Sequence, residues 1–288
     1  MNSADFTFIA GFLKDRSGLI ITQDKMYLLE TRLTSILREN DLASLTALAE
    51  LLRQPGASKV KDQVVDAMTT NETSFFRDNH PFDTLRKSIL PGLIERRAPT
   101  RALRIWSAAC STGQEPYSLA MMMKDSFPIL GGWKVEIVAT DLSPTVLEKA
   151  RSGIYSTFEV QRGLPIQMLI RHFDQQEPNW QIKRELRQNI TFRALNLLED
   201  FSALGQFDIV LCRNVLIYFD QPTKTRILGS IARRLVPDGV LMLGGAESVF
   251  GLSDAFVGQA GLKGVYGHAK GAKPVPPSRP SLPLTAAS

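Results

Sequence analysis

The run from 103 to 120, LRIWSAACSTGQEPYSLA, reads as a buried strand, a tight turn on Ser111, Thr112 and Gly113, and a helix opening at Gln114 or Glu115. A phosphate cradle at a helix N-terminus uses backbone amides, several glycines and often a lysine. This turn has one glycine and aims the carboxylate of Glu115 at the same space. Such a site prefers a cation, and the nucleoside cofactor that carries both an ammonium and a sulfonium is S-adenosylmethionine. Taken alone, Glu115 also fits an acid that stabilises the start of its helix.

A second acid, Asp141, ends VEIVATD, where a nucleotide-binding sheet sets a carboxylate against the ribose hydroxyls. Its alternative role is to cap the helix starting at Ser143-Pro144, for which Ser143 is better placed. Asn196 and Leu197 close a strand over 190–195 and offer an amide and an apolar side chain to bracket an adenine. The segment 207–220, FDIVLCRNVLIYFD, is a buried strand ending in Arg213 and Asn214, followed by Tyr218. Many methyltransferases that act on nitrogen carry an Asn-Pro-Pro-Tyr type sequence at this place. No proline stands here, which speaks against an amino-methylating enzyme and leaves oxygen or a carboxylate as candidate acceptor.

These side chains need a scaffold, and hydrophobic periodicity supplies it. Apolar residues at helical spacing over 5–16, 25–39, 44–53 and 60–68 predict a small helical bundle. A helix over 81–97 leads into strands over 103–109, 135–140, 190–195, 207–212 and 239–244. Helices over 115–126, 143–151 and 222–235 alternate with them, the pattern of a doubly wound α/β sheet. Ligands in such sheets bind beyond the carboxyl ends of the strands, where all the candidate side chains lie. The alternation breaks once, between 152 and 190, in a stretch patterned as short antiparallel strands around His172-Phe173, 180–183 and a turn at 177–179. An insertion of this size is expected to serve specificity or docking.

Composition sets the class. The 288 residues are 44% hydrophobic, enough to bury a full core with a smaller unit beside it. No apolar run approaches the ~18 residues of a spanning helix, and the N-terminus does not read as a signal peptide. Cys110 and Cys212 fall in apparent core strands and read as small buried hydrophobes in a reducing compartment, so a cytoplasmic location without a metal is expected. The net charge of +5 is not a broad basic stripe of the kind nucleic acids demand. Residues 1–100 hold 13 basic against 13 acidic side chains, and the excess sits in 151–195, with 7 against 4, and in the tail. From 271 the chain is rich in Pro, Ser, Ala and Lys and is expected to be disordered.

Four ordered motifs, TTNETSFFRD (69–78), ACSTGQEPYSLAM (109–121), ATDLSPTVLEKARSGIY (139–155) and FDIVLCRNVLIYFD (207–220), together resemble the CheR family of chemotaxis methyltransferases. The likeness covers nearly everything from about residue 5 to 269. It implies a helical domain (1–80), a Rossmann-like S-adenosylmethionine-binding catalytic domain (81–270) with an inserted β subdomain (153–190), and the tail (271–288). It implies methyl transfer to glutamate side chains on the cytoplasmic helical part of bacterial chemoreceptors, with S-adenosyl-L-homocysteine as product and no nucleic-acid or membrane-inserted partner. Family cofactor contacts fall on Asn71, Thr73, Arg77, Glu115, Asp141, Asn196, Leu197, Arg213 and Asn214, and Arg77 and Tyr218 match the positions nearest the methyl transfer. Residues 71–77 by themselves read only as a capped linker.

Relatives that dock on a receptor C-terminal pentapeptide carry a glycine-rich loop in the subdomain. The stretch here, FDQQEPNWQIK, has no glycine, so independence from that tether is expected. Lys25 and Arg32, seven apart on the second helix, turn to one side and are candidates to meet an acidic receptor rod; an ordinary solvated face is the alternative. Two other functions stay open: a small-molecule or nucleic-acid methyltransferase, and a non-catalytic adaptor that senses cofactor or receptor.

Overall fold

The computed structural model describes residues 1–269. The tail expected from 271 lies outside them. No helix among the described residues is long and apolar enough to cross a membrane.

The first helix, Ser3–Ser17, starts where the Asn2 side chain accepts from the Asp5 amide and stops at Gly18, whose φ of +75° closes the helix end. Leu45–Arg53, capped by Ser44, and Ser58–Met68 complete the bundle around Ile9, Leu13, Leu29, Leu33, Leu48 and Val64. The single helix expected over 25–39 is divided into a 3₁₀ turn (Gln23–Lys25) and two helices, Met26–Arg32 and Thr34–Glu39. At this break the Thr31 and Thr34 hydroxyls bond back to the carbonyls of Tyr27 and Glu30, which bends a helix. The helix over 80–97 likewise carries a wide π turn at Leu85–Ile89. Pro91 lies just downstream, where its ring would strike the carbonyl four residues back in a straight helix, and the wide turn absorbs it.

The strands in chain order are β1 (Ala102–Ala108), β2 (Lys134–Asp141), β3 (Ile154–Ser156), β4 (Phe173–Gln176), β5 (Asn179–Ile182), β6 (Ile190–Ala194), β7 (Phe207–Cys212), β8 (Leu235–Leu243), β9 (Phe256–Gly258) and β10 (Val265–His268). Among the described residues they form a seven-stranded sheet of order β6-β2-β1-β7-β8-β10-β9 and a three-stranded sheet β3-β5-β4. The first five strands of the large sheet run parallel, while β10 and β9 close it antiparallel. This is the expected Rossmann-like α/β architecture. Every residue of β7 is buried, as in a sheet covered on both faces. Chain order reverses between β1 and β7, and the register aligns Ala108 with both Thr140 and Cys212, so the strand tips share one rim.

The insertion holds the expected antiparallel strands and also three short helices, Thr157–Gln161, Ile166–His172 and Arg184–Arg187, which periodicity did not reveal. Cys110 follows β1 in the turn instead of lying in a strand; it and Cys212 are buried free thiols, and burial pushes both pKa values up.

The insertion braces the segment 71–77. Gly163 has φ +86°, and a Cβ there would sit 2.1 Å from the Phe75 carbonyl oxygen. Phe75 itself is fully buried between Tyr155 and Phe173. Gly163→Ala is therefore expected to cost about 2–3 kcal/mol from left-handed strain plus overlap. Scanning calorimetry would register a fall in Tm of roughly 5–10 °C; an unchanged Tm would show that 162–164 yields freely.

Candidate active site

The turn after β1 is strained and tied down. Ala109, Ser111 and Gly113 have φ of +56°, +50° and +94°. The Cys110 amide donates to the Thr140 carbonyl (2.9 Å) and the Ser111 amide to Asp141 Oδ2 (2.8 Å). Ser111 Oγ donates to the Asn71 carbonyl (2.8 Å), and the Tyr155 hydroxyl of the insertion donates to the Thr112 carbonyl (2.7 Å). Three parts of the chain, the tip of β2, Asn71 and Tyr155, thus hold this turn in a conformation that non-glycine residues disfavour.

Glu115 stands on the first turn of the helix Gln114–Ser126. Its Oε1 accepts from Ser107 Oγ (2.8 Å) and its Oε2 from Arg213 Nη1 (2.8 Å). The other terminal nitrogen of Arg213 donates to the Arg77 carbonyl (3.0 Å) and to Asp78 Oδ2 (2.8 Å). The Arg213 guanidinium is buried, and its Nε finds no partner among the described residues.

Asp141 ends β2 with both oxygens engaged, Oδ2 by Ser111 N and Oδ1 by Ser143 N (3.0 Å). Burial raises its pKa, while those amides and that of Leu142 pull the other way. The cap of the helix Pro144–Ser152 is Ser143, whose Oγ accepts from the Val146 amide.

The remaining candidates come in from the rim. Arg77 Nη1 donates to the Glu72 carbonyl (2.7 Å), and Asn71 Nδ2 to Thr69 Oγ1 (2.9 Å). Asn196 Nδ2 donates to the carbonyl of Arg16 in the first helix (2.7 Å), while its Oδ1 accepts from the Leu198 amide. Asn214 adopts φ +59° at the start of the loop that leads to Tyr218. Together Asn71, Thr73, Arg77, Glu115, Asp141, Asn196, Leu197, Arg213, Asn214 and Tyr218 line one cleft beyond the strand tips, which holds and opens onto about 1010 Å³ of atom-free space.

Lys25 and Arg32 do not join it. Arg32 donates to the carbonyls of Met68 (2.8 Å) and Thr69 (3.0 Å) and to Thr70 Oγ1, so its charge closes the end of the helix Ser58–Met68 and ties down the irregular segment leading to Asn71. Lys25 is exposed and Arg32 half-buried.

Two contributions escaped sequence reasoning. Ser17 and Leu19, from the end of the first helix, form part of the cleft wall. Glu247 accepts from the amides of Asn214 (2.7 Å), Val215 (2.9 Å) and Gly244 (2.7 Å) and so fixes the loop carrying Tyr218. The glycine pair Gly244-Gly245 just ahead of Glu247 was the available hint.

Comparison with known proteins matches two family domains in succession. Residues 4–69 match the CheR methyltransferase all-alpha domain, and residues 71–261 the CheR methyltransferase SAM binding domain. Chemotaxis protein methyltransferase 1 of Pseudomonas aeruginosa is 44% identical over 259 residues, 88% of this chain and 93% of that protein. Chemotaxis protein methyltransferase Cher2 of Pseudomonas putida is 42% identical over 257 residues, again 88% and 93%. Chemotaxis protein methyltransferase 1 of Vibrio cholerae is 40% identical over 251 residues, 85% and 89%. Among solved structures, a TehB-like SAM-dependent methyltransferase from Corynebacterium glutamicum aligns over 62% of this chain and 86% of its own with 16% identity and a TM-score of 0.36, too remote to carry an argument.

Proposed function

The chain belongs to the CheR methyltransferase family of S-adenosylmethionine-dependent chemotaxis methyltransferases, and we propose from that premise that it esterifies glutamate side chains of chemoreceptors. The observation that carries this reading is the pair of acids, Glu115 and Asp141, at neighbouring strand tips in one cleft whose rim also holds Tyr218 and Arg77. The residues present suit the cofactor. Glu115 offers a carboxylate to an ammonium, Asp141 offers one to ribose hydroxyls, Asn196 and Leu197 flank the place of a base, and the orphaned Nε of Arg213 offers a buried donor to an oxygen.

When bound, S-adenosylmethionine supplies a sulfonium methyl group open to displacement by an oxygen. The acceptor needs no general base, because a glutamate with a pKa of about 4.3 is already a carboxylate near pH 7. What the protein supplies is alignment, and an effective molarity of ~10⁵–10⁸ M corresponds to roughly 7–11 kcal/mol of barrier. Cation and anion neutralise one another as the methyl group moves, so strong fixed charges on the acceptor oxygen would favour the separated ions and slow transfer. The phenol of Tyr218 is suited to orient that oxygen as a hydrogen-bond donor, while Arg77 steadies the other oxygen or orders the rim.

Independence from a receptor tail peptide is part of the same proposal. It is supported by the hairpin β4–β5, which turns at Glu177 and Pro178 with no loop long enough to offer a further edge. Lys25 and Arg32 remain candidate contacts for an acidic receptor helix.

The test is incubation of the purified protein with methyl-labelled cofactor and receptor cytoplasmic fragments, with and without their last residues, and with RNA as a control acceptor. Label released as methanol by mild alkali, at equal rates from both fragments, is the expected result. Alkali-stable label or transfer to RNA alone would overturn the ester reading, and loss of transfer on truncation would overturn the tail independence.

A further inference from the structure

Large apolar side chains stand exposed around Tyr218. Of the nine such residues among the described residues, three gather there: Ile20 at 38% exposure, Ile217 at 46% and Phe250 at 78%. The Ile20 amide donates to the Tyr218 carbonyl (3.3 Å), Ile217 precedes Tyr218 on the 3₁₀ turn Leu216–Tyr218, and Phe250 shares a depression with Ile217. Single exposed apolar residues are ordinary, whereas a group that borders a cleft marks an interaction surface.

The backbone beneath this group is held. Glu247 accepts from the Asn214 and Gly244 amides with one oxygen and from those of Val215 (2.9 Å) and Ile217 (3.3 Å) with the other, which fixes the loop of Ile217 against the loop of Phe250. Neither Ile217 nor Phe250 belongs to a core cluster. Lys224 lines the same depression, half-buried and without an ion pair among the described residues, while both oxygens of Glu247 are taken up by amides.

What covers this surface follows from the reach of the acceptor. A glutamate side chain is short beside the ~10–12 Å width of a helix, so a helix that delivers its carboxylate to Tyr218 lies against the rim. Side chains three and four positions from that glutamate project from the same face, ~5–6 Å away. We propose that the rim formed by Ile20, Ile217 and Phe250, with Lys224 at its border, is the seat of the acceptor helix, and that it takes an apolar side chain one turn from the methylated glutamate while Lys224 meets an acid of the same helix. The inference rests on the reading of the chain as a receptor glutamate methyltransferase and adds which surface reads the surroundings of the glutamate.

Steady-state kinetics on the full chain with a receptor cytoplasmic fragment tests it. Phe250→Ser is expected to raise KM for the fragment about 10-fold, as loss of an aromatic anchor does. Its kcat and its affinity for S-adenosylhomocysteine should stay within about twofold of wild type and its Tm within about 2 °C, because the ring is exposed. Phe250→Leu should recover most of the loss, and Lys224→Gln should raise KM about 2–4-fold at low salt but not in about 0.5 M salt. An aspartate placed in the fragment three or four positions from the methylated glutamate should raise KM at least about threefold less with Phe250→Ser than with wild type. An unchanged KM in Phe250→Ser, a fall in kcat alone, a parallel loss of product affinity, or equal aspartate penalties would each overturn the proposal. So would a smaller sedimentation mass for Phe250→Ser at unchanged KM, which would make the patch a contact between copies of this chain. Wild-type protein that labels no fragment would instead sink the proposed function beneath it.

Discussion

Asp141→Ala is expected to weaken S-adenosylmethionine binding about 100-fold and to lower Tm at the same time, by roughly 5–10 °C. Two opposing effects set the second number. Burial raises the pKa of this carboxyl, so its ionised form costs stability as pH rises through the folded value, and removal relieves that cost. Against this, the amides of Ser111 and Ser143 lose their acceptors, and charge-assisted hydrogen bonds of this kind contribute about 1.5–3 kcal/mol each. The losses outweigh the relief, because the turn they hold has positive φ at Ala109 and Ser111 and relaxes once released. Calorimetric unfolding and ligand titration on one preparation check both halves. A variant that loses affinity with an unchanged Tm would show that the turn is self-supporting and that Asp141 serves the ligand only.

Tyr218→Phe should do the reverse. The hydroxyl is assigned to the acceptor, so turnover should fall about 10- to 100-fold, the range produced by misplacing a reacting group by about an ångström. Affinity for S-adenosylhomocysteine should stay within about twofold, since the ring and its loop remain. The loop is fixed independently of that hydroxyl, by Glu247 on its amides and by the Ile20 amide, which donates to the Tyr218 carbonyl at 3.3 Å. Steady-state kinetics with a receptor fragment, paired with product titration, separates the outcomes. A phenylalanine variant with full turnover and weakened product binding would move Tyr218 from the acceptor to the cofactor.

Much of this was legible in the residues because strand tips announce themselves locally. A run such as VEIVATD is an apolar strand that ends in an acid, and the parallel register then fixes where that acid must stand. The same logic brought Glu115, Asn196 and Asn214 to one rim. What stayed hidden was held by contacts between distant parts of the chain. Asp78 meets Arg213 across 135 positions, and Asn196 meets the Arg16 carbonyl across 180. Neither leaves a periodic trace. The short helix Ile166–His172 and the strands Phe256–Gly258 and Val265–His268 span too few residues for a repeat to emerge. Arg32 illustrates a different blindness: a cation away from the apolar stripe reads as a surface charge, yet three oxygens at and just past the end of another helix accept from it.

The end of the first helix carries a consequence for building hybrids between relatives. At Gly18 any side chain would meet the ring of Phe219 at 2.6 Å, while the neighbouring Ser17 and Leu19 line the cleft. An N-terminal bundle borrowed from a cousin would therefore import a mismatched wall as well as new recognition, unless residues 16–20 and the 215–219 loop were transplanted as one patch. Chimeras joined at the apparent linker near 70 would inherit that fault silently, folding well yet holding their nucleoside badly.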